Sequence, residues 1–192
     1  GNLHPPPLQD RVLQRIVVQD VTNRSDSAAV LMRPFAQGIE PSVRILNGVL
    51  WSNSFSVRAL GASRVFLTNT LISASGSGKF ALDLALGSSI QSDYNNVQIG
   101  DGAQFARLFE TISATAPAMS APLLFRNATA WQQFTGQDTN SLTMNPEFVE
   151  PENGNFSLRS RIGRYTPSGL VTDAVTSIMI DAGNPTHAFN LE

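Results

Sequence analysis

Residues of types that do chemistry are sparse in this chain, so their spacing carries the argument. Asp83, Arg58 and Lys79 bring one acid beside two cations if neighbouring repeats stack, a set suited to a base or an anion clamp. The plainer reading of the same residues is a charge pair between stacked repeats. Asp93 with Arg44 or Arg126 offers a second acid–cation combination. Asp138 and Asn140, with Glu147 beyond, present oxygen atoms for an ion, although calcium takes about six to eight such ligands. A turn cap is the better reading of Asp138 and Asn140. Trp51 and Trp131 each follow an Asn by four residues and are the aromatic faces on which a sugar ring could stack. Against that, aromatic residues of a repeat commonly fill its core or its end.

Other chemistries find no support. His4 and His187 lie near opposite ends and form neither a metal-ligand spacing nor a proton-transfer pair. Cysteine is absent, which removes disulfides and thiolate metal sites. The Gly76-Ser77-Gly78-Lys79 stretch lacks the spacing and the hydroxyl residue of a phosphate loop. A net charge of −2 with no Lys/Arg cluster argues against a nucleic-acid partner. No apolar run is long enough to insert into a bilayer. With 42% hydrophobic but only 15% charged residues, the 192-residue chain relies on Ser, Thr, Asn and Gln for its surface, as polar-faced β structure does.

The elements that must position these residues are written as a repeat. Short apolar strands meet a polar residue and then resume, at Gln19, Asn47, Asn69, Asn96 and Asn127, with steps of 28, 22, 27 and 31 residues. Phe55, Val57 and Ala59, and likewise Phe80, Leu82, Leu84 and Leu86, alternate with other residues at the period of half-buried strands. The strongest helical pattern runs only from Gln104 to Thr111. A loose period of this size implies one unit stacked on copies of itself. The expected fold is therefore all-β: a right-handed parallel β-helix, a single-stranded solenoid of about five coils with a C-terminal capping segment. The five marked residues would form a structural ladder at one corner, because Asn tolerates the left-handed backbone of a tight turn and its amide can bond the next Asn. Residues 1–11 read as an extended lead-in, 12–149 as coils, 150–185 as C-terminal strands or cap, and 186–192 as a tail. The Gly1–Pro7 opening and the final Leu191-Glu192, which looks like a cloning scar, suggest a piece excised from a longer protein. Stacking these copies puts Ile16, Arg44, Phe66, Asp93 and Leu124 in one outward row and Val18, Leu46, Thr68, Asn95 and Arg126 in the next.

The second half resembles a family of large secreted bacterial proteins with right-handed parallel β-helix repeats, the pectate-lyase-like group. The resemblance is carried by Ser92-Asp93-Tyr94-Asn95-Asn96, by Trp131 to Leu142, and by Asn145-Pro146-Glu147-Phe148-Val149. It continues through Asn155-Phe156-Ser157-Leu158, Val171-Thr172-Asp173 and Ile180-Asp181-Ala182-Gly183-Asn184-Pro185. Asn145 stands where the family usually has Asp, and Ile178-Met179 replaces its usual proline-containing approach. The resemblance implies a secreted or cell-surface bacterial protein and a polysaccharide or surface glycan as partner. Lyases of the group combine acids, often holding calcium, with an Arg or Lys base, and here Asp93 with Arg44 or Arg126 would meet a uronate. Each expected row holds at most one acid, a poor calcium cradle. The expectation is therefore a non-catalytic scaffold module without a cofactor, with calcium as the one ion considered. The alternative is a fragment of a polysaccharide lyase or epimerase acting on acidic glycans, and a third reading is an oligomeric adhesin.

Overall fold

The computed structural model describes residues 11–14, 17–19, 28–33, 40–110 and 121–186. The first coil comprises β1 (Arg11–Gln14), β2 (Val17–Gln19) and β3 (Val30–Met32). The second is β4 (Ser42–Leu46), β5 (Val49–Asn53) and β6 (Phe55–Ala59), and the third β7 (Arg64–Thr68), β8 (Leu71–Ala74) and β9 (Phe80–Ala85). The fourth holds β10 (Ser89–Asp93), β11 (Asn96–Ile99) and β12 (Gln104–Phe109). Every third strand returns to the same sheet: β1-β4-β7-β10, β2-β5-β8-β11 and β3-β6-β9-β12, all pairing in parallel. The protein is thus mostly β, with parallel strands in stacked sheets, an arrangement compatible with a parallel β-helix. Among the described residues no helix is long and apolar enough to cross a membrane.

Register follows from the inner rows. Val43 aligns with Val65 and Ile90, and Ile45 with Leu67 and Ser92. Leu50, Ile72 and Val97 line the second sheet, while Val57, Leu82 and Ala106 line the third. Slipping one strand by a residue would turn such a row outward, and each fully buried Val, Leu or Ile contributes about 1.5–3 kcal/mol. The inner side chains of all three sheets join in one core cluster.

The tight corner between the first two sheets explains part of the expected ladder. Asn47 and Asn69 each occupy the left-handed region, with φ of 52° and 53°, and Asn69 Nδ2 donates to Asn47 Oδ1 over 3.1 Å. Gln19's side chain lies outside the described residues. The next corner residue is Tyr94 (φ 56°), since Asp93 pairs with Thr68. Asn96 therefore opens β11 opposite Leu71 instead of standing at the corner. Its amide clamps Met144 instead, donating to the carbonyl at 2.8 Å and accepting the N–H at 3.0 Å.

The fifth marked copy departs further. β13 (Leu123–Phe125) runs antiparallel to β12, and Asn127 caps α1 (Ala128–Thr135), its Oδ1 accepting Ala130 N–H at 3.0 Å. Among the described residues four coils stand where about five were expected. An extended Asn before Ala128-Thr129-Ala130 is a helix N-cap, which satisfies donors that a strand corner would not leave free. The Gln104–Phe109 stretch, the best helical pattern of the sequence, is strand β12.

α1 and the segment after it close the open edge of the fourth coil. Asp138 N–H donates to Ser92 O, Leu142 N–H to Asn95 O, and Val97 N–H to Leu142 O. An uncovered edge of this kind would template pairing with another chain. The hairpin of β14 (Phe148–Glu150) and β15 (Asn155–Leu158) packs back on the coils, and β16 (Arg164–Thr166) pairs with β17 (Gly169–Val171). Ile178 to Ile180, within the segment expected as C-terminal strands or cap, form a turn leading to Asn184, whose N–H donates to Asn69 Oδ1 at 2.8 Å. Gly183 passes so close to that amide that a Cβ there would sit 3.3 Å from Asn69 Oδ1.

Candidate functional site

The outer face of the third sheet brings Asp83 and Arg58 together, as their strand register requires, and adds a residue that sequence reasoning missed. Arg58, Asp83 and Arg107 are consecutive partners across β6, β9 and β12. Arg107 Nε donates to Asp83 Oδ1 at 2.7 Å and its terminal nitrogen to Oδ2 at 3.0 Å, while Arg58 Nε lies 2.8 Å from Oδ2. Asp83 is fully buried beneath them. The Arg58 guanidinium lies over Phe55, and Arg107 lies between Phe80 and Phe109, 4.8 and 4.9 Å from the ring centroids. Lys79 Nζ is 5.1 Å from the Phe55 centroid. The carboxylate is thus engaged by two arginines, and the cations rest on aromatic faces. Arg107 sits at the alternating outward position that also holds Arg58 and Asp83; the signal was present, but the weak helical pattern of Gln104–Thr111 obscured its strand period.

Asp138 is a buried hub. Its Oδ1 accepts from Ser92 Oγ at 2.8 Å, Ser141 Oγ at 2.7 Å and Asn95 Nδ2 at 3.3 Å, and its Oδ2 accepts the Trp131 indole N–H at 3.0 Å. Both oxygens of the carboxylate are engaged by protein donors, so Asp138 ties α1 and the segment after it to the fourth coil. Trp131 is fully buried, in edge contact with Phe125 at 5.3 Å, and offers no face to a sugar. It lies in α1 and is not the equivalent of Trp51 on β5. Asn140 binds Asp93 from both sides, its N–H and its Nδ2 each 2.7 Å from a carboxylate oxygen. Among the described residues no three of His, Cys, Asp and Glu gather as a metal set.

Arg44, Phe66, Thr68, Gln91 and Asp93 do share a shallow groove of about 200 Å³ on the first sheet, with Arg44 stacked over Phe66 at 4.4 Å. The register nevertheless differs from the expected rows: Arg44 aligns with Phe66 and Gln91, and Asp93 with Thr68 and Leu46. Asp93 and Asp83 sit on different sheets, so the acids do not converge. Leu124 faces Arg107 across β13, and Arg126 is exposed just before α1. Trp51 is half-buried, meeting Phe148 edge-on at 5.0 Å and Phe156 at 6.2 Å, and so anchors the β14–β15 hairpin. His4 and His187 lie outside the described residues.

Asp173 carries a clear electrostatic signature. The Ser160 N–H donates to its carboxylate at 2.9 Å and Arg164 Nε lies at 2.9 Å, which together hold its pKa below the ordinary value of 3.8. This pair ties β16 to the strap that follows β17.

A larger cleft, of about 330 Å³, opens between the Asn corner and residues 179–183. Comparison with protein-family models, curated proteins and solved structures finds no match for this chain.

Proposed function

We propose that this chain is a right-handed parallel β-helix module resembling the pectate-lyase-like group, serving as a rigid, non-catalytic scaffold in a larger secreted or cell-surface bacterial protein and contacting glycan. The handedness rests on the general rule that crossovers between parallel strands of one sheet are right-handed. The observation that carries the scaffold reading is the state of the nominated acids. Asp83 is held by Arg58 and Arg107, Asp93 by Asn140, and Asp138 by Trp131 and three further side chains. Each joins neighbouring coils or the end segment, which is the work of a support. A general acid or base needs a carboxylate directed at a substrate proton.

The alternative, a fragment of a lyase or epimerase for acidic glycans, draws on Arg58 and Arg107 at a single acid, with Lys79 over the neighbouring Phe55 ring. Incubation with polygalacturonate, alginate and related acidic polysaccharides, with and without calcium, decides between the two. The scaffold reading expects no unsaturated or epimerised product. Product formation that disappears in Arg107→Ala, with the fold intact by circular dichroism, would replace it with the enzyme reading.

A further inference from the structure

The cleft beside the Asn corner has a composition that the scaffold alone does not require. It is assembled from segments far apart in the chain: the corner residues Asn47, Asn69 and Tyr94, the end segment at Leu142, and the strap from Met179 to Gly183. Asn47, Asn69, Tyr94 and Asp181 all line it, and all four hold left-handed backbone, with φ of 52°, 53°, 56° and 63°. For Asn that conformation is ordinary. For Tyr it is costly, and such outliers concentrate where a side chain must be aimed. The strap is held at both ends, by Asn184 N–H to Asn69 Oδ1 at 2.8 Å, and by Ser177 Oγ to Pro146 O at 2.6 Å together with Ser177 N–H to Arg159 O at 2.9 Å. The cleft therefore has two braced walls.

We infer that this cleft is a binding site for a neutral pyranose that carries a methyl group, either on an acetamido substituent or on the ring. This rests on the glycan-contact reading above and names the sugar and the place. The Asn69 amide is engaged by Asn47 and Asn184, which leaves the Asn47 amide nitrogen to donate to a sugar hydroxyl and the Asp181 carboxylate to accept hydroxyl protons. The half-buried Tyr94 supplies an aromatic body with a polar tip. Leu71, Leu142 and Met179 give the cleft an apolar side against which a methyl group would be buried. Among the described lining residues there is no Arg or Lys, so the one charged side chain, Asp181, repels a uronate. The site differs in this from the cationic face at Arg58 and Arg107.

The test is a titration of the ¹⁵N-labelled protein with N-acetylglucosamine, fucose and galacturonate, read by amide shifts. The two neutral sugars should move the Asn69 side-chain amide and the backbone amides of Ala182 and Gly183, and galacturonate should not. Tyr94→Asn keeps a residue tolerant of the left-handed backbone and removes the ring, and should weaken binding about tenfold. Galacturonate binding in the cleft, or unchanged affinity in a folded Tyr94→Asn, overturns the assignment. Shifts confined to other faces overturn the cleft but leave glycan contact standing. Silence from these sugars, joined by silence on a polysaccharide array, removes both.

Discussion

At the scale of single residues, the side chains with chemical potential are spent on the fold. Asp138 shows this most fully, since one buried carboxylate satisfies the indole of Trp131, two serine hydroxyls and the Asn95 amide. Asp138→Ala leaves those donors without an acceptor and should cost about 3 kcal/mol in urea unfolding, with Trp131 fluorescence reporting the looser end. Asp173 makes a separate prediction for acid. Its folded carboxyl is held below 3.8 by the Ser160 N–H and Arg164, so the stability it contributes is complete above about pH 4 and is lost as pH falls through the lowered folded value. Hydrogen exchange of the β16–β17 hairpin should accelerate over that acid window, and Asp173→Asn should remove the dependence. The sequence showed Asp138 as oxygen-rich and Trp131 as aromatic. It did not show that they touch, because that contact depends on α1 folding over Phe105 and Phe125.

At the scale of elements, the corner between the first two sheets decides what was legible. Asn47 and Asn69 were readable because chirality lets few residues other than Gly adopt φ near +50°, and Asn is the usual exception. Tyr94 was not readable as the third corner residue. Two asparagines follow it, and only the inner row of Ile45, Leu67 and Ser92 fixes the register. Asn127 misled for a related reason: an Asn suits a strand corner and a helix cap alike, and the Ala128-Thr129-Ala130 that follows settles the matter for a helix. Asn69 tests the corner directly. Asn69→Ala loses both the bond to Asn47 and the Asn184 N–H, and strains the backbone as well. Asn69→Gly loses the bonds alone. Thermal or urea unfolding should find Asn69→Gly about 1 kcal/mol more stable than Asn69→Ala. Equal destabilisation would mean that the corner carries no strain.

At the scale of the whole molecule, the four coils among the described residues share one apolar interior, and charged or amide ladders tie coil to coil on the outside. The period of the sequence was enough to anticipate parallel stacked strands. It misplaced the end of the stack, since β13 and α1 stand where a fifth coil was expected. In a stack of this kind each coil is stable mainly through its neighbours, so a residue bridging three strands should matter to stability well beyond its own strand. Asp83 is that residue, in contact with Arg58 on one side and Arg107 on the other. The measurement closest to the central claim is therefore the unfolding free energy of Asp83→Asn against the parent, by urea titration. A structural Asp83 predicts a loss of about 3 kcal/mol, because two arginines are left facing each other under partial burial. Undiminished stability in that variant would contradict the account and return Asp83 to the list of groups held ready for a reaction.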